Sequence, residues 1–232
     1  MPDSVDGLIS TRLLVGRDGG PPTATSRADA VVDALTRLIA EGRLAPGDPL
    51  PVTGLSERLS VAAATVRAAL SALDAMHLIE HRLHRASVVV TPTPAWFVAV
   101  AAECTGLSVA AADLGTERAT DEQIEEFAAR AASVAALWEG GVRSQVTGAE
   151  GLWDLLDLLA TFSRNPYLSA LHASKRTALV FGIRSLSRSR NPAMLRSVVD
   201  ALVIAVRERD RLEATDIVRD LYTFVVDGVM EG

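Results

Sequence analysis

Residues 53–76, TGLSERLSVAAATVRAALSALDAM, decide the fold of this chain. Leu55 and Leu59 sit one helical turn apart and predict a short helix near Thr53–Leu59. Ser60-Val61 leaves room only for a tight connection. Val66, Ala69, Leu70, Leu73 and Met76 then recur at helical spacing. Two short helices joined this closely form a helix-turn-helix, whose second member fits the major groove of DNA. Toward the C-terminus the pattern changes: Leu78-Ile79, Leu83 and Val88-Val89-Val90 are separated by charged residues and closed by Thr91-Pro92, which predicts a two-strand hairpin, a wing. Toward the N-terminus, Val31, Val32, Leu35, Leu38 and Ile39 form one helical stripe. Ser26 and Asp29 resemble a capping box before it, and Gly42 is a stop after it. Arg43 to Pro51 carries Pro46, Gly47, Pro49 and Pro51, and reads as a turn-rich connection that is not helical throughout.

The rest of the chain is helical in pattern. From residue 95 onward six helices are expected, at about 95–112, 120–138, 148–163, 167–187, 192–208 and 210–230. Thr120 and Gln123 form a capping box, and Asn165-Pro166 and Asn191-Pro192 place proline where a helix begins. Leu195, Val198, Val199, Leu202 and Val206 give the fifth of these its apolar stripe, and Ile217, Leu221, Phe224 and Val225 the sixth. Antiparallel helices with short loops make a bundle. The expected fold class is therefore mainly α, a winged helix-turn-helix with a small β wing followed by an antiparallel bundle of about six helices. The expected organisation is a flexible tail over 1–25, ending in Gly19-Gly20-Pro21-Pro22, then the winged module over 26–93 and an all-helical domain over 94–232.

Composition narrows the function. The 232 residues are 49% apolar and 22% charged, with a single cysteine, Cys104, which excludes an internal disulfide or a multi-cysteine zinc site. No uninterrupted apolar run reaches the ~20 residues of a membrane span. The start lacks a basic segment followed by an apolar block, so a soluble, cytoplasmic protein without a membrane partner is expected. The net charge of −6 is unevenly spread. Residues 1–25 hold two arginines against three acids, 26–95 hold seven against seven, and 96–232 hold 14 basic against 19 acidic residues. The middle segment also holds His77, His81 and His84, so it is compatible with DNA, because phosphate attraction is local under physiological screening. By itself it fits an ordinary solvated surface as well. There is no Gly-rich phosphate loop, metal-ligand cluster or cysteine nucleophile with a paired base, so no enzyme and no cofactor are expected.

One ordered set of residues carries a family resemblance. Ile39-x-x-Gly42-x-Leu44-x-Pro46-Gly47-x-x-Leu50 leads into Leu55-Ser56-Glu57-x-Leu59-x-Val61 and then Val66-Arg67-x-Ala69-Leu70-x-x-Leu73. This resembles the GntR family of bacterial transcription regulators. The helical remainder is similar to the FCD domain of its FadR branch, on Arg118-Ala119-Thr120, Asn165-Pro166 and Asp210, and six helices favour the VanR-like subgroup. The resemblance implies a homodimer that binds a palindromic double-stranded DNA operator, usually as a repressor, and leaves it when a small metabolite enters the helical domain.

The first turn of the recognition helix is expected to present Ala62, Ala63, Ala64, Thr65 and Arg67. Arg67 is suited to guanine or to a phosphate, the alternative being a salt bridge to a neighbouring acid. Thr65 and Thr53 are placed to contact phosphates or to cap their helices. Arg82, His84 and Arg85 of the wing are placed for phosphate or minor-groove contacts. Two departures from the family stand out. Ala62-Ala63 replaces the usual Ser/Thr-Arg pair, and Leu83 to Ser87 lacks the wing's usual glycines. Together they imply low intrinsic affinity or an unusual operator.

Many FCD domains hold a divalent metal through one aspartate and three histidines. The corresponding positions here are Leu152, Leu156, Val199 and Leu221, which cannot coordinate a metal, so none is expected. Two readings of those aliphatic residues stay open: a filled, effector-free core, or an apolar cavity for a hydrophobic ligand such as a fatty acyl group. In the second, His172 and Arg176, at i and i+4, anchor a carboxylate or phosphate, and Trp153 forms a wall. The alternative for all three is a rim or packing role. The run Arg184 to Arg190 is expected to end a helix beside its negative pole.

Overall fold

The structure is a computed structural model that describes residues 24–82, 85–139, 145–186 and 192–230. The N-terminal tail, the wing tip at 83–84 and the second half of the Arg184 to Arg190 run lie outside the described residues, apart from the tail's last two positions. The chain divides into two units, Met1–Thr91 and Pro92–Gly232.

In the first unit, α1 (Ala24–Ala40), α2 (Val52–Leu59) and α3 (Ala63–Ala75) are joined by a small sheet of β1 (Pro49–Leu50), β2 (Ile79–Glu80) and β3 (Ser87–Val89). Helix α1 already includes Ala24 and Thr25, so Ser26 lies in its first turn and not ahead of it. First-turn N–H groups lack helical partners in any case, so hydroxyl residues are at little disadvantage there. Gly42, at φ 72°, closes α1, with the Arg43 N–H donating to Leu38 O at 2.9 Å. The core is Val31, Leu35, Leu38 and Ile39 of α1, Leu55 and Leu59 of α2, and Val66, Leu70 and Leu73 of α3.

The sheet has three strands in the order β1-β3-β2, one more than the expected hairpin. The proline-rich connection supplies the extra strand, with Leu50 opposite Ser87 and Pro49 opposite Val88. Proline is tolerated because β1 is an edge strand. The turn before it is folded by Gly47, at φ 86°, and by Asp48, whose Oδ2 accepts the Ala45 N–H at 2.8 Å.

The second unit contains six helices among its described residues: α4 (Pro94–Arg118), α5 (Asp121–Glu139), α6 (Gln145–Phe162), α7 (Pro166–Leu186), α8 (Pro192–Glu208) and α9 (Arg211–Met230). Their starts follow from local chemistry. Thr93 Oγ1 accepts the Trp96 N–H ahead of α4. Thr120 and Gln123 cap α5 reciprocally, at 2.9 and 3.2 Å. Asn165 Oδ1 accepts the Tyr167 and Leu168 N–H groups of α7, and Asp210 Oδ1 that of Glu213 in α9. Arg211 holds the start of α9 to the end of α4 through Asp113 and Glu117.

Helix α4 runs six residues past its expected end, through Gly115. That glycine is a packing residue: a Cβ there would lie 2.3 Å from Leu159 O of α6. Among the described helices, α4 is the one long and apolar enough to cross a bilayer. Here its Phe97, Val100, Ala101, Cys104, Ala111 and Ala112 are buried, in contact with α6, α7 and α9. The buried face of α9 is centred on Val218, Tyr222, Val225 and Val229, so Ile217 and Phe224 fall on its half-buried flank.

Candidate DNA interface and effector core

The turn between α2 and α3 is set by Ser60, which takes the left-handed conformation at φ 51°. Its N–H donates to Glu57 O, the Val61 N–H donates to Ser56 O at 3.1 Å, and the Ser56 hydroxyl returns a bond to Val61 O at 2.6 Å. Val61 is 8% exposed and anchors the turn in the core. Helix α3 then starts at the N-cap Ala62, which offers no side-chain cap. Neither threonine compensates: the N-caps of α2 and α3 are Pro51 and Ala62, and neither the Thr53 nor the Thr65 hydroxyl is hydrogen-bonded among the described residues. Thr53 is exposed and Thr65 half-buried.

Val66, Ala69, Leu70 and Leu73 fix one face of α3 in the core, which turns Ala64, Arg67, Ala68 and Ser71 outward. Arg67 is exposed and makes no ion pair or hydrogen bond among the described residues, so the salt-bridge alternative is not realised. In the wing, Arg82 is exposed and 3.9 Å from Glu80, a weak pair, while Arg85 is exposed with its N–H on Arg82 O. His84 lies outside the described residues. The base of the wing is pinned by a contact the sequence did not signal, His81 Nδ1 to Ser87 Oγ at 2.8 Å.

The helical unit holds a polar chain, buried except at its Asp157 end, that joins four helices. His172 of α7 is fully buried, with Nδ1 2.9 Å from Asp157 Oδ1 of α6 and Nε2 3.1 Å from Ser108 Oγ of α4. Ser108 Oγ is in turn 3.0 Å from the Tyr222 hydroxyl of α9. A carboxylate only accepts, so Nδ1 carries the proton. In the neutral ring Nε2 then accepts from Ser108, whose oxygen accepts from Tyr222. Burial raises the Tyr222 pKa, with the nearby Cys104 adding to the rise, which keeps that phenol a donor. The Trp153 ring stacks on His172 with centroids 4.2 Å apart.

Arg176 points to Asp154 at 3.2 Å. His172 and Arg176 thus serve different partners, although they share a helical face. Among the described residues of this unit, three buried side-chain polar atoms have no hydrogen-bond partner: Thr116 Oγ1, Trp153 Nε1 and Arg176 Nε. Lys175 is buried and paired with Glu103 at 2.7 Å. Ser108 and Tyr222 lie at the centre of the bundle and Asp157, 39% exposed, at its edge, and no local pattern signals their meeting with His172. Leu152, Leu156, Val199 and Leu221 are at most 8% exposed. Aliphatic side chains offer a metal no donor atom, and both nitrogens of His172 are engaged. Among the described residues no three His, Cys, Asp or Glu side chains gather into a metal-ligating group.

Comparison with known proteins bears on both units. The family model described as "Bacterial regulatory proteins, gntR family" matches residues 27–90, and the FCD domain model matches 104–224. No curated protein matches the chain. Among solved structures, the fold is similar to that of McbR/YncC from E. coli, at 18% identity over 88% of this chain and 97% of that one, with a TM-score of 0.63. It is also similar to a transcriptional regulator of the GntR type from Rhodococcus sp. RHA1, at 17% identity over 89% and 99%, with a TM-score of 0.64. A third likeness, at 14% identity over 88% and 96% with a TM-score of 0.52, is to Lar, described as controlling the agr system of Listeria monocytogenes. At these identities the structures speak for the fold, and the two family models speak for the family. The chain belongs to the GntR family of bacterial transcriptional regulators, with a DNA-binding helix-turn-helix and a C-terminal FCD effector-binding domain.

Proposed function

We propose that the protein is a cytoplasmic repressor that binds a palindromic operator as a homodimer and leaves it when a small hydrophobic or acyl-type metabolite occupies the helical unit. Two-fold symmetry in the protein is matched by two half-sites about one helical turn apart. The observation that carries the reading is Arg67: exposed, unpaired among the described residues, and on the helix that follows the turn. Arg67 takes a base edge, Thr65 and Thr53 take phosphates through hydroxyls that cap nothing, and Arg82, His84 and Arg85 of the wing lie along the backbone. Residues 26–93 act as the DNA-binding domain and 94–232 as the effector-binding and dimerisation domain, of the FadR branch and VanR-like subgroup.

The effector is held without a metal. Its polar end meets Trp153 and Arg176, whose buried N–H groups lack partners, beside His172. Its apolar part lies among Leu152, Leu156, Val199 and Leu221. An effector releases DNA only through its differential affinity for the two arrangements of the dimer.

A mobility-shift titration against the region upstream of the gene tests the DNA half of this reading. Arg67→Ala is expected to weaken binding roughly 5- to 150-fold, the worth of one bidentate base contact. Unchanged affinity removes Arg67 from the interface. Adding fatty acyl ligands of graded length to the bound complex tests the effector half, and no release at any length refutes it. One further reading is favoured by the uncapped α3 and the closed aliphatic core: a dimeric family member with weakened DNA binding and an effector-free helical unit. Absence of any shifted complex selects it.

A further inference from the structure

The outward face of α3 is nearly devoid of hydrogen-bonding groups. The buried set Val66, Ala69, Leu70 and Leu73 leaves Ala64, Ala68 and Ser71 along the opposite ridge, at i, i+4 and i+7, with Arg67 on its flank. Ala62 and Ala72 are exposed as well, and Asp74 is an exposed acid near the far end. Arg67 is thus the only long cationic side chain on this helix. Methyl groups cannot read a donor or acceptor pattern. They do distinguish thymine, whose C5-methyl is the one apolar group on a major-groove base edge.

We infer that α3 reads each half-site by thymine methyls against Ala64 and Ala68, around a single guanine taken by Arg67. The inference rests on the DNA-binding reading above and adds the base chemistry of its site. Four residues of helix advance about 6 Å, and a base step is about 3.4 Å, so the two alanine methyls address thymines just under two base pairs apart. Arg67, between them in sequence and to one side, reaches the guanine O6 and N7 edge nearby. Ser71 accepts either base, because a hydroxyl both donates and accepts. Asp74 repels phosphate, which confines close contact to the N-terminal half of the helix. The operator chemistry implied is A·T-rich, with one G·C pair per half-site. Two buried methyls, at about fourfold each, then add to the discrimination supplied by the one guanine contact.

The test starts from selection of a random duplex pool by the full-length chain. The enriched half-site is expected to hold one guanine flanked by thymines. Each selected thymine is then replaced by uracil, which keeps every hydrogen-bonding group and lacks only the methyl. Burial of one methyl is expected to be worth about fourfold in affinity, so each contacted thymine costs about that on replacement. In Ala68→Gly, which removes the partner methyl, the uracil penalty at one position should vanish, with the helix content checked by circular dichroism. Half-sites enriched in several G·C pairs, or equal binding of thymine and uracil duplexes, overturn the inference and leave the DNA-binding reading standing. A pool that shows no enrichment at all overturns both.

Discussion

Helix α4 contains two glycines nine residues apart whose replacement by alanine should move stability in opposite directions. At Gly115 an alanine Cβ would stand 2.3 Å from Leu159 O and 2.9 Å from that residue's carbonyl carbon and Cα. These are backbone atoms of α6, so no rotamer change relieves the contact, and the two helices must part by about 1 Å to restore ordinary separation. Overpacking of this kind costs about 1–3 kcal/mol, against which alanine recovers about 1 kcal/mol of helix propensity. With the neighbour unable to yield, the upper half of that range applies, leaving a net loss of about 1–2 kcal/mol. At Gly106, on the exposed side of the same helix, nothing lies within 4 Å of the added methyl. There the propensity gain of about 1 kcal/mol stands alone. The two variants should differ by about 2–3 kcal/mol, or roughly 4–12 °C in the melting of a chain this size. Thermal melts followed at 222 nm read the difference directly. A Gly115→Ala protein that melts with or above the Gly106→Ala protein refutes the close approach of α4 and α6.

The buried polar chain makes a second ordering testable. Ser108→Ala strands both the Tyr222 hydroxyl and His172 Nε2 and should cost about 2–4 kcal/mol, whereas Tyr222→Phe keeps the Ser108–His172 bond and should cost about 1 kcal/mol. Equal urea midpoints for the two variants would remove the chain's direction as described. Cys104 supplies a dependence on pH. Burial, opposed by Lys175 and reinforced by Glu103, pushes its thiol from 9.0 to about 12. Between those values the unfolded chain has lost the proton and the native chain keeps it, so the unfolded state binds fewer protons and stability falls as pH rises. The slope is at most about 1.4 kcal/mol per pH unit. Cys104→Ala should make the fall shallower over that window, with Tyr222, also raised by burial, still contributing above its ordinary 10.0, and an unchanged slope would show that the thiol titrates alike in both states.

The elements that could be read from sequence are those whose boundaries are local. Thr120 with Gln123, Asn165 before Pro166, and Asp210 each bond N–H groups within three residues, so the pattern and the outcome involve the same few side chains. Strand β1 is different. Two residues, Pro49 and Leu50, have no pattern of their own and become a strand only because β3, some 38 residues on, offers them a partner. The course of α4 beyond residue 112 also involves a distant partner: Leu159 of α6 occupies the space a side chain at Gly115 would need. The choice of buried face in α9 also follows from a distant group. A tyrosine looks like a flank residue by its hydroxyl, yet Tyr222 is 3% exposed because that hydroxyl meets Ser108, 114 residues away.

The two candidate sites differ in legibility for that reason. A recognition helix is a local object: its buried stripe fixes its exposed stripe, and Arg67 is outward because Val66 and Leu70 are inward. The effector core is assembled from four helices, one polar side chain from each, and nothing near His172 in sequence announces Ser108 or Tyr222. Those four groups satisfy one another only in one register of the helices, since sliding any helix by a turn moves its member about 5.4 Å and breaks the chain. The aliphatic positions Leu152, Leu156, Val199 and Leu221 impose no such register, because apolar contacts are not directional. Trp153 Nε1 and Arg176 Nε are buried without partners, and each such donor leaves about 1–3 kcal/mol to be regained by an acceptor. A ligand oxygen placed there gains more than it would at any satisfied group of the core, which is why the polar end of the proposed effector belongs beside Trp153 and not against His172, whose two nitrogens are already engaged.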